Sequence, residues 1–214
     1  MTARALRLAT VANLACDIRQ LSPQWHFDSA SDRVALLNLW NSGCRRAIAR
    51  TLEYLRPFRD KPSHPWLAMQ AFGTATHAIA DFYAHTTWIE LHLAKYPASP
   101  IPLAPLFALE CDVEQFPPGL QSGYFHLRHG IHGCPRSDGR YRPPPGFQYA
   151  HADLAKDFPD KGHGADHVPA GDHTYFEAAL RLATAATVDA WQRLPPLLVE
   201  RYGPPASGLL AYFY

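Results

Sequence analysis

A chain of 214 residues with a hydrophobic share of 47% suits one globular domain, residues 1–214, built around a single sizeable core. Lys plus Arg (20) and Asp plus Glu (19) nearly cancel, so net charge gives no sign of a nucleic-acid or membrane-surface binder. Two counts are unusual: 12 histidines, and 20 prolines that are unevenly placed.

No proline falls between Trp66 and Tyr96 or between Ala170 and Leu194. Proline is costly inside a helix, so these gaps are where long helices are allowed. The opening string MTARALRLATVANLACDIRQL lacks the apolar core of a signal peptide. It reads as an amphipathic helix over 3–21, with Leu8, Val11, Ala15 and Ile18 on one side. Ser22 to Asp28 reads as a turn carrying Trp25-His26-Phe27-Asp28. Residues 30–56 read as a second helix, capped by Ser29 or Ser31 and stopped by Pro57. Residues 65–96 read as a third, beginning at Pro65 and ending before Pro97.

Residues 97–170 are rich in proline and glycine and cannot be regular helix. Loops of that length are functional or disordered, and the histidines and acids in this one point to an ordered lid over a site. Residues 171–194 read as a fourth helix, with Asp172 as its cap and Pro195-Pro196 at its end. A short helix over 197–202 follows, and the apolar tail SGLLAYFY packs back on the body. No stretch is long and apolar enough to span a membrane. The sum is an all-α bundle with one elaborate loop. The four cysteines contain no CxxC, which argues against a cysteine zinc knuckle. Cys111 and Cys134 would bridge in an oxidising compartment; otherwise all four are separate buried thiols.

The third helix carries His77, Asp81 and His85 at i, i+4 and i+8, on one stripe of an otherwise apolar helix. A buried carboxylate between two imidazoles is costly unless a cation joins it, and neutral His with ionised Asp is a good zinc donor set. A hydrogen-bonded core cluster is the competing explanation. His173 and Glu177 repeat the i, i+4 spacing at the start of the fourth helix, where a glutamate is also favoured by the helix dipole. His26 and Asp28 flank Phe27 and share a side if the turn is extended. His151, Lys156 and Asp157 lie in the lid.

Taken in order, HFD, then HAIADFYAHTTWIEL from His77 to Leu91, then SGYF from Ser122, then LAKD from Leu154, then His173 with Glu177, resemble the zinc-dependent phospholipase C superfamily. The Het-C-like branch is the nearest, and the resemblance runs from about Trp25 to Leu194. It implies an all-α bundle with a lid, and two or three zinc ions in a cleft that cleaves phosphodiesters. It also implies His26, Asp28, His77, Asp81, His85, His151, Asp157, His173 and Glu177 as ligands, with Asp81 as a bridge. Asp28 is the candidate base and Lys156 the candidate partner of a phosphate oxygen, with Tyr83, Tyr124 and Phe125 walling the cleft. Some positions depart from the family pattern. The last gap of the helix motif is three residues where secreted phospholipases have five. No histidine precedes His26, and Ala155 stands where the family has Asn. The same donors suit iron or manganese. A small non-lipid substrate, or a non-catalytic module with structural metal, would use them too. Near-neutral charge disfavours a nuclease.

Overall fold

The computed structural model describes residues 1–19, 23–97, 99–105, 112–125, 143–169 and 171–214. Cys111 and Cys134, and the lid span 126–142, lie outside the described residues. Among the described residues the architecture is an all-α bundle. Its helices are α1 (Ala3–Cys16), α2 (Pro23–His26), α3 (Arg33–Ser42), α4 (Cys44–Tyr54), α5 (Pro65–His85), α6 (Trp88–Lys95), α7 (His151–Leu154) and α8 (Tyr175–Tyr202). A two-residue hairpin, β1 (Pro57–Phe58) with β2 (Lys61–Pro62), joins α4 to α5.

α5 is the axis of the bundle, with α1, α2, α4 and α8 packed around it. Pro65 starts it, and Met69, Phe72, Ile79 and Phe82 bury its apolar faces. α1 crosses it at Gly73, where an added Cβ would stand 2.1 Å from Ala9 O. Only small side chains fit so close a crossing. This corrects the expected face of α1: it buries Ala5 and Cys16, and leaves Val11 63% and Ile18 87% exposed.

Both expected long helices are split by contacts from elsewhere. Residues 30–56 break at Gly43, whose position leaves no room for a Cβ beside Gln24 O at 2.1 Å. Asp32, rather than Ser29 or Ser31, caps α3 by accepting from Ala35 N. Residues 65–96 break at Thr86-Thr87. There Thr86 Oγ1 donates to Phe82 O at 2.6 Å and Thr87 N–H donates to Gln121 O, so the 119–122 segment docks in the gap.

α8 differs in the other direction. Thr174, not Asp172, caps it, and it runs through Pro195 and Pro196 to Tyr202. Two missing N–H donors are tolerated because Leu194 and Leu198 are fully buried and hold the helix across the gap. The tail lies back on the body, with Leu209, Leu210 and Phe213 buried.

Candidate metal centre

α5 presents His77, Asp81 and His85 on one stripe, and all three are buried, 5%, 9% and 6% exposed. α2 and the turn after it bring His26 and Asp28 alongside. Phe27 takes a left-handed φ of 48° and drives its ring against Trp40 and Phe82, with centroids 6.1 and 5.4 Å away. An extended turn would have set His26 and Asp28 on one side. The left-handed kink at Phe27 sends them to different groups instead.

The SGYF string holds this turn in place. Ser29 N–H donates to Gly123 O, and Ala30 N–H donates to Ser122 Oγ at 2.9 Å. Gly123 is required there, because a Cβ would meet His151 Cα at 2.5 Å. Tyr124 O accepts from His151 N, so the same strand seats the lid histidine.

The first group lies where α1, α2 and α5 meet. His26 Nδ1 is 3.0 Å from Asp81 Oδ2 and 3.2 Å from His77 Nε2, and His77 Nε2 is 3.3 Å from Asp81 Oδ2. Asp17 Oδ1 stands 3.8 Å from His77 Nε2. Donors and acceptors do not balance here. His26 Nε2 lies 3.2 Å from Cys16 O, so Nε2–H donates and Nδ1 is left as a lone pair. That lone pair faces the Asp81 oxygen, and two acceptors at 3.0 Å need a second proton or a cation between them.

The second group repeats the imbalance. His85 Nδ1–H donates to His26 O at 2.7 Å, so His85 Nε2 points a lone pair at both Asp157 oxygens, each 3.1 Å away. His151 Nδ1 lies 2.6 Å from Asp28 Oδ1, and His85 Nδ1 is 3.9 Å from that oxygen. Two sets, Asp17 with His26 and His77, and Asp28 with His85 and His151, each place their ligand atoms within 4.8 Å of one another. Each set is able to hold a metal ion.

In the absence of an ion, a second proton on the imidazoles meets this imbalance, and the electrostatics favour it. Burial, the largest influence, pushes the Asp81 carboxyl up, yet His85, His26 and His77 outweigh it and hold it well below the usual carboxylate range. Burial pulls His85 down, and Asp157, Asp81 and Asp28 more than reverse this, so it sits well above the ordinary imidazole value. His77 is raised too, by Asp81 and Asp17 against burial. Asp157 is lowered by His85 against burial. A cavity of about 170 Å³ opens beside Asp81 and Asp157, walled by Phe176 and Leu180 of α8.

Seven of the nine expected ligands thus meet: His26, Asp28, His77, Asp81, His85, His151 and Asp157. His173 and Glu177 are placed elsewhere. Glu177 Oε2 accepts from Thr174 N at 2.7 Å and Thr174 Oγ1 accepts from Glu177 N, which is a helix capping box. His173 Nδ1 lies 3.7 Å from Asp172. Asp17 is the acid that sequence reasoning missed; it has no spacing relation to the other ligands, and only the crossing of α1 over α5 delivers it.

Lys156 lines that cavity, but its ammonium group is engaged elsewhere. Its side chain is fully buried, and Nζ donates to Thr86 O, Leu154 O and Glu90 Oε1 at 3.1, 2.9 and 2.9 Å. All three protons are committed, so none is left for a phosphate in this arrangement. His163 bridges Glu90 Oε1 at 2.9 Å and Asp166 Oδ2 at 3.1 Å. Tyr83 is core as well, fully buried with its hydroxyl accepting from Ala104 N at 3.0 Å. Burial pushes its phenol up to about 12. Phe125 does flank the site, its ring 5.5 Å from that of His151.

No protein-family model, curated protein or solved structure matches the chain.

Proposed function

We propose that the chain is a metal-dependent phosphoester hydrolase of phospholipase C type. One observation carries the reading: His26 Nδ1, His77 Nε2 and Asp81 Oδ2 converge with mutual separations of 3.0, 3.2 and 3.3 Å. Ligands about 2.0–2.1 Å from a tetrahedral zinc ion stand about 3.4 Å apart, so the three atoms already occupy three corners of such a site. The donors fit the ion chemically as well as spatially. Asp17 Oδ1 stands farther off, 3.8 Å from His77 Nε2, so three protein donors converge and a fourth position is left for water or substrate. An open position favours catalysis over a purely structural ion. Asp28, His85 and His151 would hold a second ion. When bound, such ions supply Lewis-acid polarisation of the phosphoryl group and of the attacking water.

The chain's own residues do the rest. In the absence of an ion, Asp28 Oδ1 accepts a hydrogen bond from His151 Nδ1–H at 2.6 Å and fixes that ring. The cavity of about 170 Å³ admits a phosphoryl group and leaves the remainder of the substrate outside. Pockets that enclose a whole drug-sized ligand run to roughly 300–1,000 Å³. The test is metal content by plasma mass spectrometry of the parent and of Asp81→Ala, followed by hydrolysis of bis-p-nitrophenyl phosphate and of phosphatidylcholine. Zinc lost with Asp81, together with turnover of either substrate, is the expected result. Folded protein prepared without chelator that holds no metal would overturn the reading.

A further inference from the structure

α1 is built inside out. Its inner face carries Ala5, Ala9, Ala12 and Cys16 against Gly73 of α5, which is why the helices approach so closely. Its large apolar residues therefore point to solvent: Leu6 is 58% exposed, Val11 63% and Leu14 59%, and Ile18, in the 3-10 turn that follows, is 87% exposed. Helical spacing puts these side chains on one face together with Arg7, and Arg4 lies at its edge. No acidic residue occurs between Met1 and Cys16, and Asp17, next in the chain, stands 3.8 Å from His77. The near-neutral total charge hides this local basic character.

The patch continues onto α8 and the tail. Val188 is 50% and Tyr214 73% exposed, and a groove of about 580 Å³ runs between them and Leu6 and Thr10. Trp191 Nε1–H donates to Tyr214 OH at 2.9 Å. An apolar face of this extent on a chain of this size marks a contact surface. Interleaved arginine and a Trp–Tyr pair with wet polar ends are what a lipid headgroup boundary accommodates. No helix among the described residues is long and apolar enough to cross a membrane, so the contact is with the surface.

We propose that the outer face of α1, continued by Val188 and Tyr214, seats the protein on an anionic bilayer surface. The proposal does not depend on the metal chemistry, and its test is run in chelator so that the two stand or fall separately. The probe is co-sedimentation with vesicles of equal parts phosphatidylglycerol and phosphatidylcholine, and with vesicles of phosphatidylcholine alone. The parent is expected to bind the anionic vesicles more tightly. The double variant Val11→Asp with Leu14→Asp, both exposed and so compatible with an unchanged circular dichroism spectrum, is expected to bind at least about tenfold less, since apolar insertion and charge attraction are both lost. Arg7→Glu is expected to remove the preference for anionic vesicles alone. Absence of binding by the parent, or equal binding by the double variant, overturns the proposal. So does a dimer, seen by light scattering without vesicle binding and abolished by the double variant, which would assign the face to a second copy of the chain.

Discussion

Two buried polar clusters lie within a few residues of each other in this protein, and they are built differently. In one, Lys156, Glu90, His163 and Asp166 form a chain of hydrogen bonds, and Lys156 uses every proton it has. In the other, Asp17, Asp28, Asp81 and Asp157 surround four imidazoles, and lone pairs at His26 Nδ1 and His85 Nε2 are aimed at carboxylates. The first fastens the 154–157 segment to the end of α5 and leaves one buried acceptor, Glu90 Oε2, without a hydrogen bond. In the second, the contacts at His26 Nδ1 and His85 Nε2 each need a second proton or a cation, and this facing of lone pair and carboxylate marks a group able to hold a metal ion.

The contrast is breakable. The largest effect is expected at Lys156→Met, which strands a buried carboxylate and should cost about 3–5 kcal/mol in urea unfolding, while Lys156→Met with Glu90→Leu recovers most of it. A harmless Lys156→Met that abolished hydrolysis would instead return Lys156 to the substrate. Next, zinc at a hundredfold excess over its Kd should stabilise the parent by about 2.7 kcal/mol. That corresponds to a Tm increase of roughly 5–10 °C for a chain of this size, and Asp81→Asn should show none of it. Gly123→Ala should cost about 1–3 kcal/mol by forcing the His151 backbone away, and should weaken the second ion while sparing the first. The smallest effect is expected for Glu177→Ala: under about 1 kcal/mol from the lost cap, with metal content unchanged. Loss of metal in that variant would mean that the start of α8 closes on the cluster when an ion is present.

The parts of this that the sequence disclosed are those governed by local rules. A proline-free window and a four-residue period placed His77, Asp81 and His85 on one face of α5, where the structure has them. Local rules also explain the ambiguity at His173 and Glu177. The string His173-Thr-Tyr-Phe-Glu177 holds both a ligand spacing, His173 with Glu177, and a capping box, Thr174 with Glu177, and in the structure the carboxylate serves the cap. The helix breaks at Gly43 and Thr86 were illegible because each is imposed by a segment distant in the chain. The outward face of α1 was illegible for the same reason, since Gly73 lies sixty-odd residues away and dictates which side of α1 is narrow. Lys156 shows the limit of composition rules, which place lysine at the surface unless a specific set of acceptors awaits it.

Phe27 has a consequence beyond packing. Its ring is clamped between Trp40 and Phe82, while its two neighbours in sequence each belong to a different candidate metal group. It acts as a gauge block: the distance between the two groups is set by how deep one aromatic ring sits in oil. The spacing of two polar clusters is thereby tied to the fit of a hydrocarbon core. Repacking around Trp40 would retune that spacing without altering a single ligand.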